Sequence, residues 1–153
     1  MSEKITIKRL GPIEEASVEI KPLTVLVGEQ ASGKSLVAQV AFFFKSLKGL
    51  IARYFNEQLV EKEHWHEIII KQMLDQLRGV PFGYFSNGTA QLRYETDAVE
   101  WSVKVYRSNR AVNLNNALKR SMDGWVQEWR ENKETLGREE ILSNVVYGKT
   151  GAP

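Results

Sequence analysis

The stretch that decides the fold is Leu23-Thr24-Val25-Leu26-Val27-Gly28-Glu29-Gln30-Ala31-Ser32-Gly33-Lys34-Ser35. Residues 28–35 fit G-x-x-x-x-G-K-[ST], the pattern of the phosphate-binding Walker A loop. From average residue usage, a chance match in a chain this long is expected on the order of 0.005 times. Residues 23–27 form an apolar, β-branched run typical of a buried parallel strand, and helical spacing follows from Leu36. Strand, glycine loop and helix in this order are the context in which the pattern binds phosphate.

The residue types of the glycine loop (residues 28–35) suit a triphosphate and its metal ion. The amides of residues 31–35 can surround phosphate oxygens at the positive end of the new helix. We expect Lys34 to place its ammonium against the β- and γ-phosphates, and Ser35 to offer its hydroxyl to Mg²⁺. Gly28 is expected to adopt dihedrals that a side chain disfavours, and Gly33 to keep bulk away from the phosphate. The sequence therefore predicts ATP and Mg²⁺ as ligands of Gly28, Ala31, Ser32, Gly33, Lys34 and Ser35, with Ser35 on the metal.

Length and composition indicate one globular domain with a sizeable core. The chain has 153 residues, of which 42% are hydrophobic and 26% charged. Its net charge of +2 gives no strong field toward nucleic acid or a membrane. The absence of cysteine excludes disulfides and cysteine-ligated zinc. The apolar segment 37–44 is too short to span a bilayer and no signal-peptide core follows Met1, so we expect a cytoplasmic protein with no membrane partner.

Two half-exposed strands are predicted ahead of the glycine loop. Residues 4–8 and 16–20 alternate between apolar and polar side chains, and Gly11-Pro12 between them is typical of a turn. An antiparallel pair therefore comes directly before the loop. In small P-loop kinases the first strand of the chain usually leads directly into the loop, so an antiparallel pair ahead of the loop disfavours a kinase.

A long helix over residues 36–55 is predicted after the loop, with Phe42 and Phe43 widening its apolar face. Core packing explains these aromatic residues better than a base-stacking platform. A helical insertion at about 57–80 follows. His64 and His66 in this insertion face different directions on a helix, so a shared metal ion is not expected.

The remaining predicted elements are a β-hairpin at about 82–106 and a helix at about 115–132. Asn87-Gly88 and residues 96–98 are turn signals in the hairpin region. The later helix has an apolar stripe and capping residues at 113–116. Its basic and acidic charges cancel, which favours a solvated face over a nucleic-acid surface. Residues 145–147 begin like a strand.

Residues 5–44 resemble the N-terminal lobe of ABC-type AAA family P-loop ATPases of the SMC, RecF and OLD-nuclease kind. The matching features are the strand with Ile5 and Ile7, the Gly11-Pro12-Ile13 turn, the returning strand and the glycine loop. The resemblance implies an α/β, three-layer P-loop NTPase-like fold, in which a mixed sheet has an antiparallel portion. It also implies that ATP closes two heads together, in DNA repair, chromosome organisation or phage defence. The implied partners are a head-to-head homodimer or a missing C-terminal lobe; DNA is conceivable but unsupported by charge.

The parts that such ATPases use for hydrolysis are not found in the sequence. Ile68-Ile69-Ile70 is followed by Lys71 rather than by the Walker B aspartate, and no L-S-G-G signature occurs. We therefore expect an incomplete fold and assign no catalytic residue. The leading hypothesis is an ATP-binding N-terminal part of an ABC/SMC-like ATPase, which hydrolyses ATP only when completed by further segments. The alternatives are a non-hydrolysing nucleotide-binding regulatory module and, less favoured, a small P-loop kinase.

Overall fold

The computed structural model describes residues 2–54, 56–78, 86–108 and 111–133. The strands are β1 (Glu3–Leu10), β2 (Ile13–Ile20), β3 (Ser86–Thr96), β4 (Glu100–Tyr106) and β5 (Val112–Leu114). The helices are α1 (Lys34–Tyr54), α2 (Glu57–Val60), α3 (Trp65–Arg78) and α4 (Asn116–Lys133). The described chain is thus mixed α/β, with an open five-stranded sheet in the order β2-β1-β3-β4-β5.

Every neighbouring pair of strands in this sheet is antiparallel, and its inner face is apolar. Ile5 of β1 lies between Val18 of β2 and Tyr94 of β3, which in turn faces Trp101 of β4. Successive side chains of a strand point to opposite faces, so the residues between these are polar and face solvent. The predicted antiparallel pair before the loop and the predicted hairpin are both confirmed.

Helix α1 packs across the inner face of the sheet and provides much of the core. Phe43, Leu47 and Ile51 are buried, and the ring of Phe44 stacks on Tyr94 with centroids 5.5 Å apart. The prediction that Phe42 joins this covered face is wrong, because 55% of Phe42 is exposed. By length and composition the window Lys34–Arg53 is apolar enough to cross a membrane, a test that the core helix of a soluble protein also passes.

The single helix predicted over the insertion is two helices in the structure. α2 ends at Val60, and α3 begins at Trp65 after a turn in which His64 takes a left-handed backbone conformation, φ +59°. On α3, Ile69, Ile70 and Met73 are buried in the core. Residues 79–85, at the end of the insertion and the start of the predicted hairpin, lie outside the described part, as do residues 145–147.

Helix α4 begins at a polar cap and completes the helical layer. Asn115 accepts a hydrogen bond from the Leu118 amide at 3.1 Å, as the capping signal predicts. The same side chain accepts from the Ser102 amide at 3.2 Å and donates to the Glu100 carbonyl at 2.9 Å, which ties α4 to β4. Asn87-Gly88 is not a turn, because it lies within β3, where Gly88 has φ +84°.

The apolar run (residues 23–27) does not form the parallel strand that its sequence predicts. Within the described ranges it belongs to no sheet, and the sheet that does form is antiparallel throughout. Leu23, Val25 and Val27 are 82%, 71% and 90% exposed, so the run is not buried. A strand needs hydrogen-bonding neighbours at its edges, and no described strand pairs with this run.

Candidate phosphate-binding loop

The glycine loop lies where α1 begins. The chain leaves β2 at Ile20, passes through the apolar run, and turns at residues 29–33 into α1, whose first residue is Lys34. The Ser32 amide donates to the Glu29 carbonyl at 3.4 Å within the turn, and the Val37 amide donates to the Gly33 carbonyl at 3.0 Å. The pattern therefore ends on the first turn of a helix, as its phosphate-binding use requires.

The turn between β1 and β2 supports the loop from beneath through two glycines. Gly33 has φ +98°, and a Cβ added there would lie 2.5 Å from Cγ1 of Ile13. Gly11 has φ +56°, and a Cβ there would lie 2.8 Å from Cδ1 of Leu36. Both values of φ favour glycine, and both contacts leave no room for a side chain. The missing side chain of Gly33 thus makes room for Ile13 of β2, a packing role that the sequence did not indicate.

Gly28 also differs from expectation. Its φ lies outside the left-handed region, so unusual dihedrals do not explain the residue. A Cβ at Gly28 would lie 3.2 Å from Oγ of Ser32 and 3.8 Å from Nζ of Lys34. The tight contact is the one with the Ser32 hydroxyl, since 3.8 Å to Lys34 is an ordinary van der Waals distance.

Lys34 folds back over the loop and brings its two ends together. Its Nζ donates to the carbonyl oxygen of Gly28 at 2.7 Å, to that of Glu29, and to Oγ of Ser32 at 3.2 Å. An ammonium has three donors and no acceptor, so these three bonds use its full capacity. All three acceptors are exposed, which leaves the ammonium free to exchange them for an anion.

An open cavity of about 360 Å³ lies over the turn, and five of the six predicted ligand residues line it. The sixth predicted ligand, Gly28, does not line the cavity, but its carbonyl oxygen accepts a hydrogen bond from Lys34. Within the described chain, no backbone bond outside the regular elements uses the amides of residues 33–36 as donors. These amides belong to the first turn of a helix, where donors have no intrahelical acceptor. The described lining residues are Pro12, Gln30, Ala31, Ser32, Gly33, Lys34, Ser35 and Leu36.

The residues present fit a phosphate group and one oxygen ligand for a metal ion. Lys34 and the free amides supply positive charge and donors, and Ser35 supplies an exposed hydroxyl. No carboxylate lines the cavity, and the described residues contain no group of three or more His, Asp or Glu suited to a metal ion. Lys34 and the amides at the start of α1 are groups that could hold an anion here, and Ser35, the residue expected to bind Mg²⁺, lies in the same lining.

Two features near the loop were not indicated by the pattern. Ile13 and Pro12 form part of the site through the β1–β2 turn, and the glycine before Pro12 is the one local signal for that packing. Ala31 has φ +61°, a left-handed conformation that costs an L-residue about 1–2 kcal/mol. The histidines lie elsewhere: Nε2 of His66 is 2.7 Å from Oδ1 of Asp123 on α4.

Comparison of the chain with protein-family models, with curated proteins and with solved structures gives no match.

Proposed function

We propose that this chain binds the triphosphate of ATP together with Mg²⁺ at the glycine loop. The observation that carries the proposal is that residues 33–36, Lys34 among them, all line one open cavity, and that their amides donate no backbone bond within the described loop. A triphosphate would replace the carbonyl oxygens of Gly28 and Glu29 as the acceptors of Lys34. In this exchange the ammonium would face negatively charged phosphate oxygens in place of neutral carbonyl oxygens, and the added ion-pair attraction favours the ligand.

Each of the other loop residues has a part in this proposal. Gly33 allows the tight turn that aims the amides, and Ala31 and Ser32 form the wall of the cavity. The Ser35 hydroxyl is one oxygen ligand for Mg²⁺, whose remaining positions would be filled by phosphate oxygens and water. The β1–β2 turn fixes the base of the loop, because Ile13 leaves no free volume below Gly33.

The wider role we propose is that of the N-terminal, ATP-binding part of an ABC/SMC-like ATPase. The antiparallel β1–β2 pair directly before the loop supports it, as does the β3–β4 hairpin that extends the same sheet. A three-layer P-loop arrangement would require parallel strands beside residues 23–27. Those strands, a Walker B carboxylate, and any action in DNA repair or phage defence would involve polypeptide other than the described residues.

A non-hydrolysing nucleotide-binding module is the second candidate function. The observation that favours it is that the described residues of the cavity lining include no Asp or Glu to orient water. A phosphate-release assay on the chain alone distinguishes the two. We expect no Mg²⁺-dependent turnover, whereas turnover that is lost in Lys34→Ala would reject the module and support an ATPase.

The test of nucleotide binding is calorimetric titration with Mg-ATP. Lys34→Ala should weaken binding about 100-fold, which corresponds to about 3 kcal/mol for a charged donor to phosphate. Lys62→Ala removes an exposed lysine from the turn after α2 and should bind ATP as the wild type does. Circular dichroism melting of both variants checks the fold. Equal affinity of the wild type and Lys34→Ala, or no binding by the wild type, would show that the loop is not a nucleotide site.

A further inference from the structure

The β1–β2 hairpin turns over one residue before its turn begins. Lys8 of β1 lines the outer, polar face of the sheet, and Ile7 before it is buried in the core. Strict alternation along the strand would place Leu10 on the outer face with Lys8, yet Leu10 is fully buried. The strand therefore changes face at Arg9, the residue between Lys8 and Leu10.

The opposite strand changes face at the same level. Glu15 and Ser17 of β2 line the outer face, but Ile13, two residues before Glu15, is 6% exposed. Ile13 is paired with Leu10 across the two strands, so both side chains point into the core at the end of the hairpin.

The backbone of Arg9 accounts for this reversal. Its φ is +54°, a left-handed conformation that few L-residues adopt. The pairing of β1 with β3 is shifted between Lys8 and Leu10, which leaves residues 87–90 of β3 opposite Arg9 alone. An irregularity of this kind bends a strand and re-aims the side chains that follow. The burial of Leu10 and Ile13 offsets the cost of the strained backbone.

The reversal brings the end of the hairpin against the glycine loop. Ile13 occupies the space into which a side chain at Gly33 would project. Leu36 of α1 does the same for Gly11, and Pro12 lines the cavity of the loop. Without the reversal, Ile13 would lie on the outer face of the sheet and Gly33 would lose this contact.

Left-handed backbone is concentrated around the same contact. Three glycines and three other residues of the described chain have positive φ. Four of the six lie in the hairpin end or in the glycine loop, namely Arg9, Gly11, Ala31 and Gly33. Strained conformations persist where the surrounding structure holds them, and they cluster at ligand sites.

We propose that Arg9 is a positioning residue for the glycine loop, and that its left-handed backbone holds the loop in the geometry that binds phosphate. The inference rests on the proposed binding of ATP and adds to it a residue outside the Walker A pattern. The side chain of Arg9 is exposed, and the described lining of the cavity does not include it. Its contribution is therefore made through the backbone, by way of Ile13 and Gly33.

Substitutions that differ in their tolerance of left-handed backbone test the proposal by calorimetric titration with Mg-ATP. Arg9→Val should weaken binding at least about tenfold, because a β-branched residue strongly disfavours positive φ and would straighten the strand. Arg9→Ala removes the guanidinium but keeps the backbone cost of an L-residue, so its affinity should stay within about twofold of the wild type. Arg9→Gly accepts the conformation freely and should also bind like the wild type.

Lys8→Val is the matched control, because it removes a positive charge from the regular part of the same strand. The ion pair of Lys8 with Glu15, 3.3 Å long, is exposed and contributes little, so this variant should bind Mg-ATP normally. Equal affinities of Arg9→Val and Lys8→Val would overturn the proposal. Weak binding by Arg9→Ala would overturn it as well, because the effect would then belong to the side chain.

A second pair of variants decides the matter if Arg9→Val does not fold. Ile13→Val removes Cδ1, which lies below Gly33, and should weaken Mg-ATP binding about threefold. Ile5→Val removes the same methyl group from the middle of β1, where Ile5 is fully buried, and should leave the affinity unchanged. Circular dichroism melting should show similar losses of stability in both variants, and equal affinities would reject the role of the hairpin end.

Amide hydrogen exchange without nucleotide separates this proposal from that of ATP binding. The Val37 amide donates to the Gly33 carbonyl at 3.0 Å, so its exchange rate reports on the end of the loop. This amide should exchange at least about tenfold faster in Arg9→Val than in Arg9→Ala, whereas the Lys119 amide of α4 should not differ. A wild type that does not bind Mg-ATP but shows this difference would reject the proposed function alone. A wild type that binds Mg-ATP without the difference would reject the positioning role alone.

Discussion

The contact between the glycine loop and the β1–β2 turn predicts a large loss of stability for Gly33→Ala. At φ +98° an alanine costs about 1–2 kcal/mol in backbone strain. The new Cβ would also lie 2.5 Å from Cγ1 and 2.9 Å from Cδ1 of Ile13, which is 6% exposed and so has little room to move. Overpacking of this kind costs about 1–3 kcal/mol, and the sum is about 2–5 kcal/mol.

Urea unfolding followed by tryptophan fluorescence measures this loss, since the chain has four tryptophans. Gly124→Ala is the matched control, because Gly124 lies in α4 and a Cβ there meets nothing within 4 Å. In an open helical position this change should stabilise the protein by about 1 kcal/mol. The two Gly-to-Ala changes therefore shift the urea midpoint in opposite directions.

A double-mutant cycle with Ile13→Ala separates the two causes. Removing Cγ1 and Cδ1 of Ile13 should reduce the cost of Gly33→Ala by at least about 1 kcal/mol, because only the backbone strain then remains. If Gly33→Ala unfolds at the same urea concentration as the wild type, the loop does not rest on this turn. An unchanged cost in the Ile13→Ala background would assign the whole effect to backbone strain.

Three further predictions concern the loop and the docking of α4. Ala31→Gly should stabilise the protein by about 0.5–1 kcal/mol by relieving the left-handed backbone, whereas Ala38→Gly within α1 should destabilise it by about 1 kcal/mol in the same unfolding assay. Asn115→Ala loses two hydrogen bonds to β4 and the cap bond of α4, and should cost about 2 kcal/mol, with Asn115→Asp in between because it keeps the cap. Burial raises the pKa of Glu67, but hydrogen bonds from Lys119 and from its own backbone, together with the charge of Lys119, hold the net pKa below the ordinary value of a glutamate. A lowered carboxyl pKa stabilises the fold above the unfolded value and loses that effect as the pH falls through the folded value. The difference in thermal midpoint between the wild type and Lys119→Ala should therefore be largest near neutral pH and shrink below about pH 4; a constant difference would contradict this.

Local patterns were sufficient to predict most of the elements. The alternation around Ile5 and Ile7 indicates a half-buried strand without knowledge of its neighbours, and β1 is found there. The helical spacing after Leu36 likewise locates α1 to within two residues at its start. The periodicity of apolar residues depends only on residues that are close in sequence, so it can be read without any knowledge of tertiary contacts.

The elements that were missed depend on tertiary contacts or on single backbone conformations. β5 has three residues and is identified only by its pairing with β4, Val103 opposite Leu114. The break between α2 and α3 rests on the left-handed backbone of His64, which no apolar pattern encodes. In the candidate site, the sequence indicated the position of Lys34 at the start of α1. The contact of Ile13 with Gly33 joins residues twenty positions apart, and the Walker A pattern of the glycine loop gives no indication of it.

The apolar run shows why composition and structure disagree at this one place. Leu-Thr-Val-Leu-Val has the composition of a strand covered on both faces, yet four of its five residues are exposed and Leu26 alone is half-buried. What it lacks, among the described residues, is a neighbour at its edge and a layer over its outer face. Both are non-local, since strand pairing joins segments distant in sequence or in another chain. The same residues lead into Gly28 and Glu29, whose carbonyls hold Lys34. Any polypeptide that covers the run therefore also fixes the entry to the glycine loop.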